Sequence, residues 1–312
     1  MLTYRDTLPD DLAPLLVLDA SARVRQTYRW MEQRRGSVVR LTPATKNYEP
    51  LTIHTWQTSG SKSGFGKNGD ALTKGIADTI LTKPDERWLV VVHKPGGRVR
   101  DVDQAIRKHL RDNLGDRLAI ITWGNHMATN AHADVPNVIL AGTLFMKDSF
   151  YTALTHLAQN RAVEPGLVSP EEVAATMRGE HAHLVLQALC RGRVRKSDGD
   201  NCWPMNAYVI ASPRSGIPRD LTTIFPGCRV VAWRLNRKAL RGNLKRAVEY
   251  VGKVFGEGAE KVTYGNMREA LKMTPNKFRE TVTKLPGWTD ALADVGLTVR
   301  PGYRNERVIQ RP

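Results

Sequence analysis

The chain has 312 residues, 41% hydrophobic and 25% charged, a globular balance that excludes a disordered tail or a collagen-like rod. At ~100–200 residues per domain it has room for about two domains. Lysine and arginine total 47 against 31 acidic residues, a formal charge of +16, which points to a polyanionic partner.

No run approaches the ~18 apolar residues of a membrane span, so no membrane partner is expected. The opening MLTYRDTLPDD lacks a basic-then-apolar leader, which makes the cytoplasm the expected compartment.

In chain order, Leu15–Leu18 is a short apolar run ending at Asp19, read as a strand. A helical stretch follows with Val24, Tyr28 and Met31 on one face. Ser37–Leu41 and Leu51–Trp56 read as further strands, and Ser59–Asp70 as a Gly/Ser/Lys loop before a helix at Ala71–Leu81. Trp88–His93 is continuously apolar up to its last residue, as in a strand buried on both faces of a parallel sheet. Val102, Ile106, Leu110 and Leu114 recur every four residues and predict an amphipathic helix. Leu118–Thr122, Val138–Ala141 and Tyr208–Ala211 read as strands, and Phe150–Ala158 and Glu171–Leu189 as helices. Alternating strands and helices predict an α/β domain with a parallel sheet over residues 1–228.

The character then changes. From Arg229 onward 18 basic residues face 8 acidic ones, so the last quarter is the expected nucleic-acid surface. Residues 229–258 read as a basic connector, its helix over Arg234–Val254 carrying a stripe of Leu240, Leu244, Val248 and Val251. Residues 259–312 read as a small module. It has a helix at Tyr264–Leu271, a turn at Lys272–Met273, and a second helix opened by Thr274 as N-cap and Pro275 at its first position. Pro286–Gly287 stops that helix, and Leu297–Arg300 with Glu306–Ile309 form a hairpin.

Helix, turn, helix, hairpin resembles a winged helix-turn-helix, which implies a second helix in the major groove. Its outward Asn276, Lys277, Arg279 and Lys284, with Arg300 and Arg304 on the wing, are then the DNA-binding residues; these types suit phosphate and base-edge contacts.

Two segments carry the rest of the functional argument: Ala119–Thr143, which contains Ala128-Thr129-Asn130 and Asp134-Val135, and Gln187-Ala-Leu-Cys190-Arg191-Gly-Arg193-Val-Arg195. Together they resemble motifs V and VI of the second RecA-like domain of superfamily 2 helicases. Asn130 takes the place of the motif V asparagine. Gln187 and Arg191 match motif VI, Cys190 replaces its glycine, and Arg195 lies one residue beyond the second arginine. The resemblance spans residues 12–215 and implies a RecA-like sheet. It makes Gln187, Arg191 and Arg195 catalytic, the arginines acting as fingers on the phosphate charge of a transition state, with Arg193, Thr129 and Asn130 nucleotide-binding. Gln187, Arg191 and Arg195 are spaced four residues apart and are expected on one helix face.

A complete motor also needs GxxxxGK[ST] and an acidic Mg²⁺ motif, and the sequence has neither. Gly60–Asn68 comes nearest but is off in spacing, with Asn68 where a metal-binding hydroxyl belongs. The chain therefore reads as the C-terminal motor half of an ATP-dependent DNA helicase, not an ATPase alone. ATP and Mg bind only with a complementary first RecA-like domain, in cis or in trans. The alternative is a non-catalytic DNA-binding replication or regulatory protein of a mobile element; a third treats Gly60–Asn68 as a degenerate phosphate loop. DNA is the expected nucleic acid rather than RNA. Cys190, Cys202 and Cys228 fit no zinc spacing and read as reduced thiols. His126, His132, His181 and His183 have no ligand cluster, so no metal site of the chain's own is expected. Asp19 and Ser21 lack an identifiable base.

Overall fold

The computed structural model describes residues 11, 13–36, 38–42, 44–96, 100–110, 114–125, 130–162, 167–233, 242–285, 288–289, 291–292, 297–302 and 306–311. It divides into two units, Met1–Leu235 and Asn236–Pro312.

The first unit runs α1 (Gln26–Trp30, continued by a π turn at Met31–Arg35), β1 (Leu51–Trp56), α2 (Lys62–Ile80), β2 (Trp88–Val92), α3 (Val102–Leu110), β3 (Leu118–Thr122) and β4 (Asn137–Leu140). Next come α4 (Asp148–Gln159), α5 (Pro170–Leu189), the small hairpin β5 (Ser197–Asp198) and β6 (Asn201–Cys202), β7 (Met205–Ile210), α6 (Ile217–Ile224) and β8 (Arg229–Ala232). Six strands form one parallel sheet in the order β3-β2-β4-β7-β1-β8.

Successive strand residues point to opposite faces, so each face has its own core. On one face Leu72, Ile76 and Ile106 of α2 and α3 pack over Trp88, Val90 and Ile210; on the other, Val185 and Leu189 of α5 and Leu221 of α6 pack over Ile53, Val91 and Val209. The unbroken apolar run of β2 is buried at every residue, as a central strand of a two-sided sheet requires.

Several expectations shift. Leu15–Leu18 joins no strand, and its side chains are 62–88% exposed. Residues 38–41 also form no strand, and Ser37 lies outside the described residues. Both runs have the composition of strands, but among the described residues neither adds to the open edges of the sheet at β3 and β8. The loop expected over Ser59–Asp70 is mostly helix. The Ser61 hydroxyl accepts from the Gly64 amide at 3.1 Å and starts α2 at Lys62, leaving Gly66 and Lys67 in its first turns, with a kink at Asn68. A phosphate loop needs free amides in an open turn, and a hydrogen-bonded helix does not supply them there. The first unit also extends past residue 228, because Arg229–Ala232 pairs in register with Thr52–Thr55 of β1.

The second unit contains α7 (Gly242–Gly256), β9 (Lys261–Thr263), α8 (Tyr264–Leu271), α9 (Pro275–Phe278, continued by a π turn at Arg279–Thr283), β10 (Thr298–Pro301) and β11 (Arg307–Gln310). Residues 234–241, including Leu240 of the expected stripe, and Pro286–Gly287 lie outside the described residues. β10, β11 and β9 form a three-stranded antiparallel sheet, in which β9 was not expected. Its core gathers Leu244, Val251, Met267, Phe278, Trp288 and Ile309. Thr274 caps α9 through the Lys277 amide, as its position predicts.

Candidate functional site

The two sequence segments singled out above meet at the amino-terminal edge of the sheet. Asp134–Pro136 lead into β4, and the residues after α5 lead through β5 and β6 into β7. Between them Gly192 allows a close approach that no side chain permits: a Cβ there would lie 2.5 Å from Val138 Cγ2 and 2.7 Å from Met205 Sδ. The Arg193 amide then donates to the Val135 carbonyl at 2.9 Å, and Val194 is fully buried.

Around this anchor the cations fan out. Arg191 Nη2 donates to Gln187 Oε1 at 2.9 Å, and its Nε to the Gln187 carbonyl at 3.2 Å. Arg193 Nη2 donates to the Asp134 carbonyl at 3.3 Å. Arg195 bonds the side-chain oxygen of Asn130, and Lys196 bonds the Asp134 carboxylate. Lys46 Nζ donates to the Arg195 carbonyl at 2.6 Å. The Lys196 ammonium holds the Asp134 carboxyl below its usual range. Burial, then the nearby Arg195 charge, pulls Arg191 down.

Gln187, Arg191, Arg193, Arg195 and Asn130 thus lie on one edge; Thr129 lies outside the described residues. The expected single helix face does not hold. α5 ends at Leu189, and Arg193–Arg195 form a separate 3-10 turn, so Gln187 pairs with Arg191 while Arg195 pairs across to Asn130. Lys46 and Lys196 were not foreseen. Lys46 reaches the turn from 149 positions away, a distance over which local pattern carries no signal. Chemically the edge offers guanidinium and amide donors to an anion. In open α/β sheets nucleotides lie at the carboxyl ends of strands. A donor cluster at the amino ends suits a phosphate presented by a facing body.

A polar network ties the segment before α1 to α5. The Ser21 hydroxyl donates to Asp19 Oδ1 at 2.6 Å and lies 2.6 Å from His183 Nδ1. With its one proton committed to Asp19, Ser21 accepts from the imidazole N–H. Tyr28 donates to Asp19 at 3.0 Å, and Arg25 makes a bidentate pair with Glu180 at 2.9 and 3.0 Å. A base does stand beside Ser21. The serine is wholly buried, however, so the group fastens chain to helix and does not attack a substrate.

His181, two residues earlier, is 2% exposed; its Nε2 meets the Tyr151 hydroxyl at 3.0 Å and its Nδ1 has no partner among the described residues. Burial pushes its pKa down to about 4. A lowered imidazole pKa means the unfolded chain takes up the proton first. Stability is therefore full above pH ~6.5 and declines as pH falls toward 4, by about 2–3 kcal/mol. Urea titrations of wild type and His181→Gln between pH 7 and 4 check this; the variant's decline should be smaller by about 2–3 kcal/mol, with a residual slope of the same sign from His93, His132 and His183, which burial also lowers.

In the second unit Asn276 and Lys277 are exposed on α9 and Arg300 on β10, while Arg304 lies outside the described residues. Arg279 and Lys284 are both engaged by Glu280, at 3.2 and 2.9 Å. Arg268 and Lys272 line a notch of about 370 Å³ between α8 and α9.

No family model matches the chain, and no curated protein matches it in sequence. Among solved structures, XPD in its apo form is similar over 65% of this chain at 11% identity, with a TM-score of 0.42. The chain covers 46% of that structure's chain, less than half its length. A likeness at that score defines neither fold nor function by itself. Among the described residues no helix is long and apolar enough to cross a membrane, and no three His, Cys, Asp or Glu side chains gather to hold a metal.

Proposed function

We propose that this chain is the C-terminal motor half of a superfamily 2 ATP-dependent DNA helicase, a second RecA-like domain followed by a winged-helix DNA-binding unit. The observation that carries the reading is the meeting of Asn130 and Asp134 with Arg193, Arg195 and Lys196 beside the Gln187–Arg191 pair. Guanidinium groups placed against a transferring phosphoryl group stabilise the charge that develops there. The donor set fits ATP phosphate oxygens. It is cationic and so does not suit Mg²⁺, which falls with the phosphate cradle to a facing first RecA-like domain. When bound, ATP and Mg²⁺ supply the phosphoryl-transfer chemistry. This chain's residues hold and orient the phosphate charge, with Gln187 fixing the Arg191 guanidinium.

The second unit supports the DNA-binding part through its order of helix, strand, helix, helix, strand, strand around a three-stranded sheet. α9 is then the groove-reading helix, with Asn276 and Lys277 leading, and the β10–β11 hairpin is the wing with Arg300 and Arg304.

The test uses the chain alone. Fluorescence anisotropy with duplex DNA should show binding whose log K falls linearly with log salt, by about 0.9 per neutralised phosphate. A phosphate-release assay should stay at background with DNA present. Turnover by this chain alone sinks the half-motor reading, and salt-insensitive binding sinks the electrostatic DNA interface.

A further inference from the structure

The carboxyl-terminal edge of the parallel sheet, opposite the arginine cluster, carries a second set of features. Three loops are locked together there. A Cβ on Gly60 would lie 2.6 Å from Gly142 Cα, and one on Gly142 would lie 1.8 Å from the Gly60 carbonyl oxygen and 2.9 Å from His93 Nε2. His93 Nε2 also bonds that carbonyl at 2.9 Å. The loops after β1, β2 and β4 therefore sit side by side.

They bring exposed lysines: Lys62 and Lys67 at the start of α2, Lys94 after β2, and Lys147 before α4. None of the four ammonium groups has an ion-pair or hydrogen-bond partner among the described residues, although Lys74, Lys83 and Lys196 elsewhere in this unit are paired.

The third loop also exposes large apolar groups. Phe145, Met146 and Phe150 are 43%, 41% and 45% exposed. The two phenyl rings rest on a rigid base. Phe145 stands edge-on to the His181 ring at 4.2 Å, and Phe150 edge-on to Tyr151 at 5.5 Å. His181 and Tyr151 are buried and bonded to each other, and the Met146 amide donates to the Tyr151 hydroxyl at 2.9 Å. Exposed aromatic rings held rigidly, on the loop that also carries Lys147 and adjoins the loops leading to Lys62 and Lys94, match the two requirements of a strand with accessible bases: a π-face for stacking and cations for its phosphates. Four uncompensated lysines in a chain of formal charge +16 favour a polyanion over a neutral protein surface. Duplex DNA hides its base faces and would not use the rings.

We infer that Phe145 and Phe150 form a base-stacking platform for single-stranded nucleic acid, with Lys62, Lys94 and Lys147 holding its phosphates. This deepens the proposed nucleic-acid function and is carried by the first unit, independently of α9 and the wing.

The test uses the full chain and a 15-nucleotide oligo(dT) with a central 2-aminopurine, whose fluorescence falls when its base stacks. Wild type should quench the probe. Phe145→Leu/Phe150→Leu keeps the apolar packing on His181 and Tyr151 but should lose the quench and at least tenfold in affinity. Lys62→Ala/Lys147→Ala should lose affinity and salt dependence while the quench at saturation survives. Lys74→Ala, at an exposed lysine of α2 that is already paired with Asp78, should leave both quench and affinity unchanged. An equivalent oligo(U) probe separates DNA from RNA as the source of the strand. An unchanged quench in the leucine variant overturns the platform. So does wild-type binding to duplex DNA but to neither oligonucleotide, an outcome that leaves the DNA-binding reading standing; failure to bind any of the three overturns both. Loss of self-association in the leucine variant with no change in oligonucleotide binding makes the patch a protein contact and also overturns the inference.

Discussion

Alanine at Gly142 should lower the unfolding free energy of the first unit by about 3–8 kcal/mol, a large part of the ~5–15 kcal/mol that holds an ordinary domain together. Three costs add. Gly142 has φ of +87°, where a Cβ is strained by about 1–2 kcal/mol. The new carbon would fall 1.8 Å from the Gly60 carbonyl oxygen, so the β1–α2 and β4–α4 loops must part; forced overpacking costs about 1–3 kcal/mol. Parting them breaks the His93–Gly60 bond and strands buried groups, at about 1–3 kcal/mol. Gly199, with φ of +56° and open space around it, isolates the backbone cost, so Gly199→Ala should lose only about 1–2 kcal/mol. Urea unfolding of both variants checks the difference. Equal losses mean that the loops do not touch, which would also remove the junction beneath the proposed stacking platform.

The parts of this architecture that the sequence reveals are those written in local pattern. β1, β3 and α8 begin and end at their expected residues, and α3 begins at its predicted Val102, because apolar runs or four-residue repeats bounded by turn residues specify them directly. Ser169, Pro170 and Glu172 form a capping box that sets the start of α5 within one residue of expectation. Pattern fails where the deciding partner is distant. Leu15–Leu18 is as apolar as a strand, but pairing depends on where the chain leads it, and it does not reach either open edge of the sheet. Gly64 and Gly66 argue for a loop locally, yet Phe65, Leu72 and Ile76 gain burial against β2 and β7 when the segment is helical.

The candidate site shows the same division. Gln187 and Arg191, four apart, were legible as a pair. Arg195 meeting Asn130 across 65 positions, and Lys46 reaching the Arg195 carbonyl, depend on Gly192 allowing the post-α5 turn to sit on Val138 and Met205. The exposed rings are hidden from the sequence for a related reason: nothing local distinguishes Phe145 and Phe150 from the adjacent Tyr151, and only the fold shows that Tyr151 is buried while both phenyl rings stay outside.

Opposite charge changes on α9 should move duplex DNA affinity in opposite directions. Lys277 is exposed and has no acidic partner among the described residues, so Lys277→Glu removes one phosphate contact and adds a repulsion. Binding should weaken about tenfold to a hundredfold, and the salt slope should fall by about 1. Glu280 is the counter-case. Its carboxylate holds Arg279 at 3.2 Å and Lys284 at 2.9 Å, and these cations keep its pKa below the usual range, so it is ionised at neutral pH. It therefore spends two cations of the helix internally and would repel a phosphate drawn near. Glu280→Gln frees both side chains at little structural cost, since exposed pairs of this kind add little to stability. Affinity should rise about three- to tenfold, with a steeper salt slope as new counterions are released. Anisotropy titrations of both variants at two salt concentrations separate the effects. If both variants bind like wild type, α9 does not face the duplex. If Glu280→Gln weakens binding, the carboxylate is orienting Arg279 toward a base or phosphate and is not competing with one.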